Sequence, residues 1–210
     1  MIILTPTDIN NTKSNMHFYK PNKRLESWEI CHNEFLEARN SQAVDKRLLT
    51  LHLMGFLSSW GMYCRKAPLF LNHHYLVHED LIDTLLDKRY DKLFEIKDNN
   101  DFCTNIGLMD EVYEKIATYY QAIGVTRVIT LASKIMLGVY GCVPAFDNNV
   151  NNALAILQCK SSTVFKTKLE LLSNYISNNS ELDKFIKTEL GKHNDYTYMR
   201  ILDDFLWNYK

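Results

Sequence analysis

Helix breakers are scarce in this chain: 210 residues hold only 7 glycines and 4 prolines. So few turn formers leave little room for a many-stranded sheet, and long stretches of Leu, Lys, Glu and Ala favour helices instead. A charge surplus is lacking too. The net charge is −1, so no field of one sign marks the whole chain as a binder of nucleic acid. No apolar run reaches the roughly 18 residues that a membrane-spanning helix needs. The opening MIILTPTD has neither a basic start nor a long apolar core, so no signal peptide is expected. No CxxC pair occurs among Cys31, Cys64, Cys103, Cys142 and Cys159. Scattered and odd in number, they read as reduced, buried thiols of a cytoplasmic protein, not as a disulfide framework or a zinc site. Glycine-rich phosphate loops, GxSxG elbows, HExxH and kinase signatures are missing, which argues against nucleotide hydrolysis, serine hydrolysis and zinc proteolysis. No period of about 20–50 residues repeats.

Apolar residues are plentiful, at 46%, which places the chain among globular proteins. Its length suffices for one sizeable core or for two small helical lobes sharing one. Residues 1–22 are polar and carry Pro6 and Pro21, so an extended arm is expected there. Residues 23–210 are read as a single all-α domain. Helices are predicted over 23–39 and 42–60, the second from Val44, Leu48, Leu51, Leu53 and Phe56 at helical spacing. Short helices follow near 79–87 and 89–96, the latter ending in a polar loop, DNNDFCTN. The amphipathic stretch 108–124 closes on Gly124. The next helix, 125–141, opens on Thr126 as N-cap and is apolar almost all round, which predicts a buried central helix. Helices near 148–158, 163–177, 180–191 and 195–209 complete the chain. Charge is uneven along it. Residues 79–115 are acidic, while 121–170 carry Arg127, Lys134, Lys160, Lys166 and Lys168 against Asp147 and Glu170.

The stretch YGCVPAFDNNVNNAL, residues 140–154, sets one carboxylate, Asp147, between a buried-looking run and a polar helix start. Helix capping alone accounts for an Asp there. A second role emerges from 108–154 taken as one unit: helix, tight AIGVT connection, buried helix, GCVPAF link, Asp147, helix. The segment IGVTRVITLASKIMLGVYGCVPAFDNNVNNAL resembles the helix-hairpin-helix DNA glycosylase superfamily. That family runs Gly-Val-Gly, Lys or Gln, Thr-Ala and an apolar helix, then a Gly-x-Pro-x-x-x-Asp link into a further helix. The likeness covers roughly residues 120–158. It implies a helix-hairpin-helix at about 108–141, and Asp147 as the catalytic aspartate facing a flipped nucleotide. It implies that Gly124, Val125 and Thr126 grip a DNA phosphate at the second helix's N-terminus, with Arg127 adding positive potential.

Departures from the pattern shape the expected chemistry. Thr126 stands where the family has its second hairpin glycine. Val128 or Ile129 stands where bifunctional members carry a lyase Lys, and an apolar side chain cannot form a Schiff base. The resemblance then implies a monofunctional hydrolase that leaves an abasic site. Lys134, one turn further on, is the other candidate catalytic cation. The clustered cysteines of iron–sulfur relatives are absent, so no cluster and no other cofactor is expected. The implied partner is double-stranded DNA carrying a damaged base or an enzymatically modified one, such as those of phage genomes.

Other features compete for attention. SSWGMYCRKAPLF, residues 58–70, gathers Trp60, Tyr63, Arg65, Lys66 and Phe70, aromatics and cations that can stack a base or wedge a duplex. Trp60, Tyr63, Arg65 and Phe146 are the candidates for a base pocket or wedge, and a core-lining turn is the plain alternative. Beside His73, His74 and His78 only Glu79 and Asp80 stand at metal-ligand spacing, and no metal is expected. In YTYMRILDDFLWNYK, residues 196–210, an Arg200–Asp203/Asp204 pair and a buried Trp207 are predicted on a helix supporting the Asp147 pocket. Arg47 and His52 fit the R-x4-H spacing of small helical HEPN-type RNases, which gives a rival enzyme reading. A non-catalytic helical module binding DNA or a partner is the third.

Overall fold

The computed structural model describes residues 1–19, 23–63, 69, 72–193 and 195–210. The N-terminal segment departs at once from the expected extended arm. Thr5 and Asp8 form a reciprocal capping box that starts helix α1 (Pro6–Lys13), with Pro6 in the first turn, where its missing N–H costs nothing. Leu4, Ile9 and Met16 are buried, so the segment is tied into the core. Scarce hydrophobic residues and two prolines suggested an arm, but the capping box and three apolar anchors outweigh them.

Helices α2 (Lys23–Ala38) and α3 (Lys46–Ser59) follow. Asp45 caps α3, which buries Leu49, Leu53, Phe56 and Leu57. Val44, Leu48 and Leu51, expected on its core side, are exposed. The buried stripe lies one position further along, because Leu49 pairs with Leu53 and Phe56 while Leu48 does not. After the turn at 60–63 come 3-10 turns over Tyr75–Leu81 and Lys88–Glu95, flanking the short α4 (Ile82–Leu85). The expected polar loop DNNDFCTN instead holds α5 (Asn99–Thr104). Asp98 caps it through two backbone amides, and Phe102 anchors it in the core. Then come α6 (Ile106–Ala122), α7 (Val128–Tyr140), α8 (Asn148–Ile156), α9 (Phe165–Ser177), α10 (Ser180–Leu190) and α11 (Tyr198–Asn208). The described residues contain helix, turn and loop, and no strand. The fold is all-α.

Helix α7 lies at the centre. Every residue from Leu131 to Tyr140 is buried, and α2, α3 and α6 all pack against it. Gly138 lets α3 come close: a Cβ there would lie 2.4 Å from the Phe56 ring. The C-terminal carbonyls of α7 are met by buried donors from α2. Trp28 Nε1 donates to the Leu137 carbonyl at 2.8 Å and His32 Nδ1 bonds that of Val139 at 2.9 Å. Burial lowers the His32 imidazole to a pKa of about 4, so it acts as a neutral donor. Gly141 then takes the left-handed conformation (φ +64°) that ends the helix. Buried apolar residues from Leu4 to Leu206 join in one cluster. Among the cysteines, Cys31, Cys142 and Cys159 are buried free thiols, whereas Cys103 is exposed on α5. Cys64 lies outside the described residues. No described helix is long and apolar enough to cross a membrane.

Candidate functional site

Asp147 owes its position to a short link held from three sides. Gly141 turns the chain out of α7, and Thr197 Oγ1 donates to the Gly141 carbonyl at 2.7 Å. Two residues before Asp147, the Ala145 amide donates to Asp203 Oδ1 at 2.9 Å. One residue before it, the Phe146 amide donates to Ser133 Oγ at 2.9 Å, and the Phe146 carbonyl accepts from Thr130 Oγ1 and Asn151 Nδ2. These bonds fix the backbone leading into Asp147. Its Oδ1 accepts from the Asn149 and Val150 amides at 3.0 and 3.2 Å, the N-cap of α8. Its Oδ2 faces Lys134 Nζ at 3.7 Å. Capping therefore uses one oxygen and leaves the other turned toward a cation.

That second oxygen opens on a cleft of about 650 Å³. Lys134 and Asp147 line it together with Thr126, Arg127 and Thr130. Lys134 is nearly buried, and its ammonium also donates to the Trp60 carbonyl at 2.6 Å. An apolar helix ordinarily sends a lysine outward to water. Here the carbonyl at the end of α3 and the carboxylate at the start of α8 give it inward partners, so Lys134 and Asp147 come together across 13 residues of sequence.

The hairpin leading into α7 is a Schellman turn. Gly124 (φ +90°) lets its own amide bond the Gln121 carbonyl and the Val125 amide bond that of Tyr120. Gly124 and Val125 were expected to grip a phosphate, but their N–H groups are consumed in closing the turn. Thr126 and Arg127 stay exposed beyond it. The expected N-cap role also moves, from Thr126 to Arg127, whose side chain makes no capping bond. The first turn of α7 therefore keeps its positive end uncapped by a side chain.

The aromatic candidates are placed differently from the sequence expectation. Trp60 packs on Phe56 and under the Arg200 guanidinium, 5.0 and 5.2 Å away, and is almost wholly buried. It serves the cleft through its carbonyl, and its ring is no exposed wedge. The Tyr63 hydroxyl turns to His78 Nε2 at 2.6 Å, and His78 Nδ1 meets the Tyr120 hydroxyl. Burial lowers His78 to a pKa of about 4, so a neutral imidazole bridges two phenols. Phe146 is fully buried and packs edge-on against Phe165. The apolar part of the Asp147 cleft is aliphatic, from Met62, Leu69, Val125 and Leu131, with no aromatic ring among its described lining residues. Arg65, with Lys66 and Phe70, lies outside the described residues.

The C-terminal helix does support the corner. Arg200 and Asp203 pair at 3.4 Å, both fully buried. The guanidinium also lies over Trp28 at 5.5 Å and Tyr196 at 5.9 Å, ring faces that temper its burial. Burial pushes the Asp203 carboxyl up to about 7, against the pull of Arg200 and the Ala145 amide. Asp204 was expected to share Arg200, but it turns the other way and accepts from the His17 backbone amide while pairing with His17 Nδ1 at 2.7 Å. Trp207 is only partly buried and packs tilted against the His17 ring, 4.8 Å between centroids. Arg47 and His52, both on α3, pair with different carboxylates: Arg47 reaches Glu79 at 3.8 Å and His52 reaches Glu34 of α2 at 3.7 Å. Among the described residues, no group of three or more His, Cys, Asp and Glu is placed to hold a metal. Sequence reasoning missed Ser133 and Thr130, which hold the Phe146 peptide; on an apolar helix their hydroxyls were the available signal.

No family model, no curated protein and no solved structure matches the chain.

Proposed function

We propose that the chain is a DNA glycosylase of the monofunctional kind, hydrolysing the bond between a damaged or modified base and its sugar. The observation that carries this reading is the Asp147–Lys134 pair in the cleft beside the hairpin. A duplex laid on the hairpin would meet the uncapped start of α7 and Arg127, and a nucleotide flipped from it would enter the cleft. As the bond between C1′ and the base nitrogen breaks, the base leaves with the electron pair and positive charge develops on the sugar. Asp147 Oδ2 stabilises that charge, as a carboxylate does in glycoside hydrolysis. Water then adds to C1′ and gives a proton to the carboxylate, leaving an abasic sugar. Lys134, hydrogen-bonded to Trp60 and facing Asp147, supports the reading as a fixed cation that holds the carboxylate and interacts with the departing base. A cleft of this size lined by both polar and aliphatic side chains supports either a damaged base or a modified base of phage genomes as the substrate.

The test is a panel of oligonucleotides carrying uracil, oxidised and alkylated bases, with DNA containing hypermodified cytosine, incubated with wild type and Asp147→Asn. Alkali-dependent strand breaks that vanish in the variant are expected. Breaks formed without alkali, with Lys134 trapped on DNA by borohydride, would instead assign Lys134 as an amine nucleophile. No breaks on any substrate from a folded protein would overturn the reading.

A further inference from the structure

A second groove, of about 800 Å³, lies beyond the hairpin and shares Thr126, Arg127 and Thr130 with the Asp147 cleft. No Asp or Glu lines it among the described residues. Its cations are Arg127 and Lys168, and Ser161, Ser162 and Thr163 add hydroxyls. Lys168 is the unusual member. Only two lysines are buried among the described residues, Lys134 and Lys168. Lys134 faces Asp147, whereas Lys168 forms no ion pair among the described residues. Its Nζ donates to Asn151 Oδ1 at 3.0 Å and Ser161 Oγ at 3.1 Å and lies 4.8 Å over the Phe146 ring. A buried ammonium held only by neutral groups lacks its counter-charge, and an anion in the groove would supply it. Arg127 is exposed and forms no ion pair among the described residues either.

We propose that this groove seats a backbone phosphodiester of the strand whose nucleotide enters the Asp147 cleft, with Lys168 and Arg127 as its cations. The polymer is favoured over a free phosphate because the groove and the cleft meet at one ridge, so a single continuous strand spans both. The inference rests on the reading of that cleft as a nucleotide site.

The experiment measures binding of a fluorescein-labelled, undamaged duplex against salt concentration, for wild type, Lys168→Met and Arg127→Gln. Each substitution should weaken binding and lower the slope of log K on log salt by about 1. Thermal melting controls for folding. Lys168→Met removes an unpaired buried charge and should melt no lower than wild type, and exposed Arg127→Gln carries the test if it does. In parallel, the Lys168 15Nζ resonance is followed with inorganic phosphate and with duplex at equal ionic strength. A shift with duplex at far lower concentration than with phosphate supports the proposal. Equal shifts with unchanged slopes would mean a free-anion site and overturn it, as would unchanged slopes with no shift. Weakened binding of the variants, with no base excised by wild type, would keep this seat and sink the glycosylase reading. Base excision with unaltered duplex binding would do the reverse.

Discussion

Glu189 and Asp147 are both carboxylates that tie chain segments together, and they differ in what is left over. Glu189 is buried on α10 and joins the N-terminal segment to the C-terminal helices. Lys13 and Lys192 reach it at 2.8 and 3.0 Å, and the Tyr19 hydroxyl donates to its other oxygen. Burial works to raise its pKa, but these donors prevail and hold it at about 2. Both of its oxygens are taken by internal donors. Asp147 also ties segments, through the α8 cap, yet one of its oxygens looks past a single cation into an open cleft. A carboxylate saturated by its own protein is a strut. One that is anchored by half and open by half keeps an oxygen for a ligand, as the role proposed for Asp147 requires.

Removing the open half should have the largest effect. Asp147→Asn is expected to cut base excision by at least about 10²-fold, while the protein stays folded: Asn still caps α8, and the melting temperature falls only in so far as the buried Lys134, still bonded to the Trp60 carbonyl, loses its counter-charge. A collapse in stability with activity per folded molecule unchanged would break the comparison and make Asp147 a strut too. Glu189→Gln is the converse. It should cost about 2 kcal/mol in urea unfolding, the scale of hydrogen bonds to charged groups, with excision per folded molecule unaltered. Ser133→Ala sharpens the contrast, since it leaves the buried Phe146 amide without its acceptor. It should cost about 1–2 kcal/mol and also lower the single-turnover excision rate, because the peptide preceding Asp147 is freed.

The smallest expected effect is in pH dependence, and its sign separates the groups. His32 and His78 are held near 4, below the ordinary 6.5. The unfolded chain binds their protons first, so their contribution to stability is lost as pH falls from about 6.5 toward 4. Asp203 is raised from 3.8 to about 7. The folded chain holds its proton where the unfolded one has released it, so this group costs stability increasingly as pH rises through that window. Asp203→Asn, which takes a partner from the buried Arg200, should therefore cost less stability at pH 7 than at pH 5, and steepen the loss on acidification, in urea unfolding at the two values.

Much of the corner was legible beforehand because its signals are local. A left-handed Gly124, an apolar helix ending at Gly141 and an Asp before Asn-Asn-Val each act over a few residues, and all three fall where periodicity and capping chemistry put them. The extended arm was misjudged for the opposite reason. Leu4, Ile9 and Met16 are too sparse to show a pattern, and only contact with α10 and α11 reveals them as anchors. Trp60 illustrates the limit for sites. Its composition neighbourhood suggested a ring for stacking DNA, but a ring's role depends on which way it points, and here Arg200, 140 residues away, draws it inward.

By itself, the sequence determined that the chain is helical, that 125–141 is its most buried helix and that Asp147 begins the helix after it. Periodicity, capping and glycine conformation are short-range physics, and the residues carry them wherever they fold. Tertiary structure alone decided that Lys134 turns inward to Asp147, that Asp203 holds the peptide behind it, and that Lys168 is buried without a counter-charge. Those are relations between side chains on different helices, and they exist only once packing sets the distances between them.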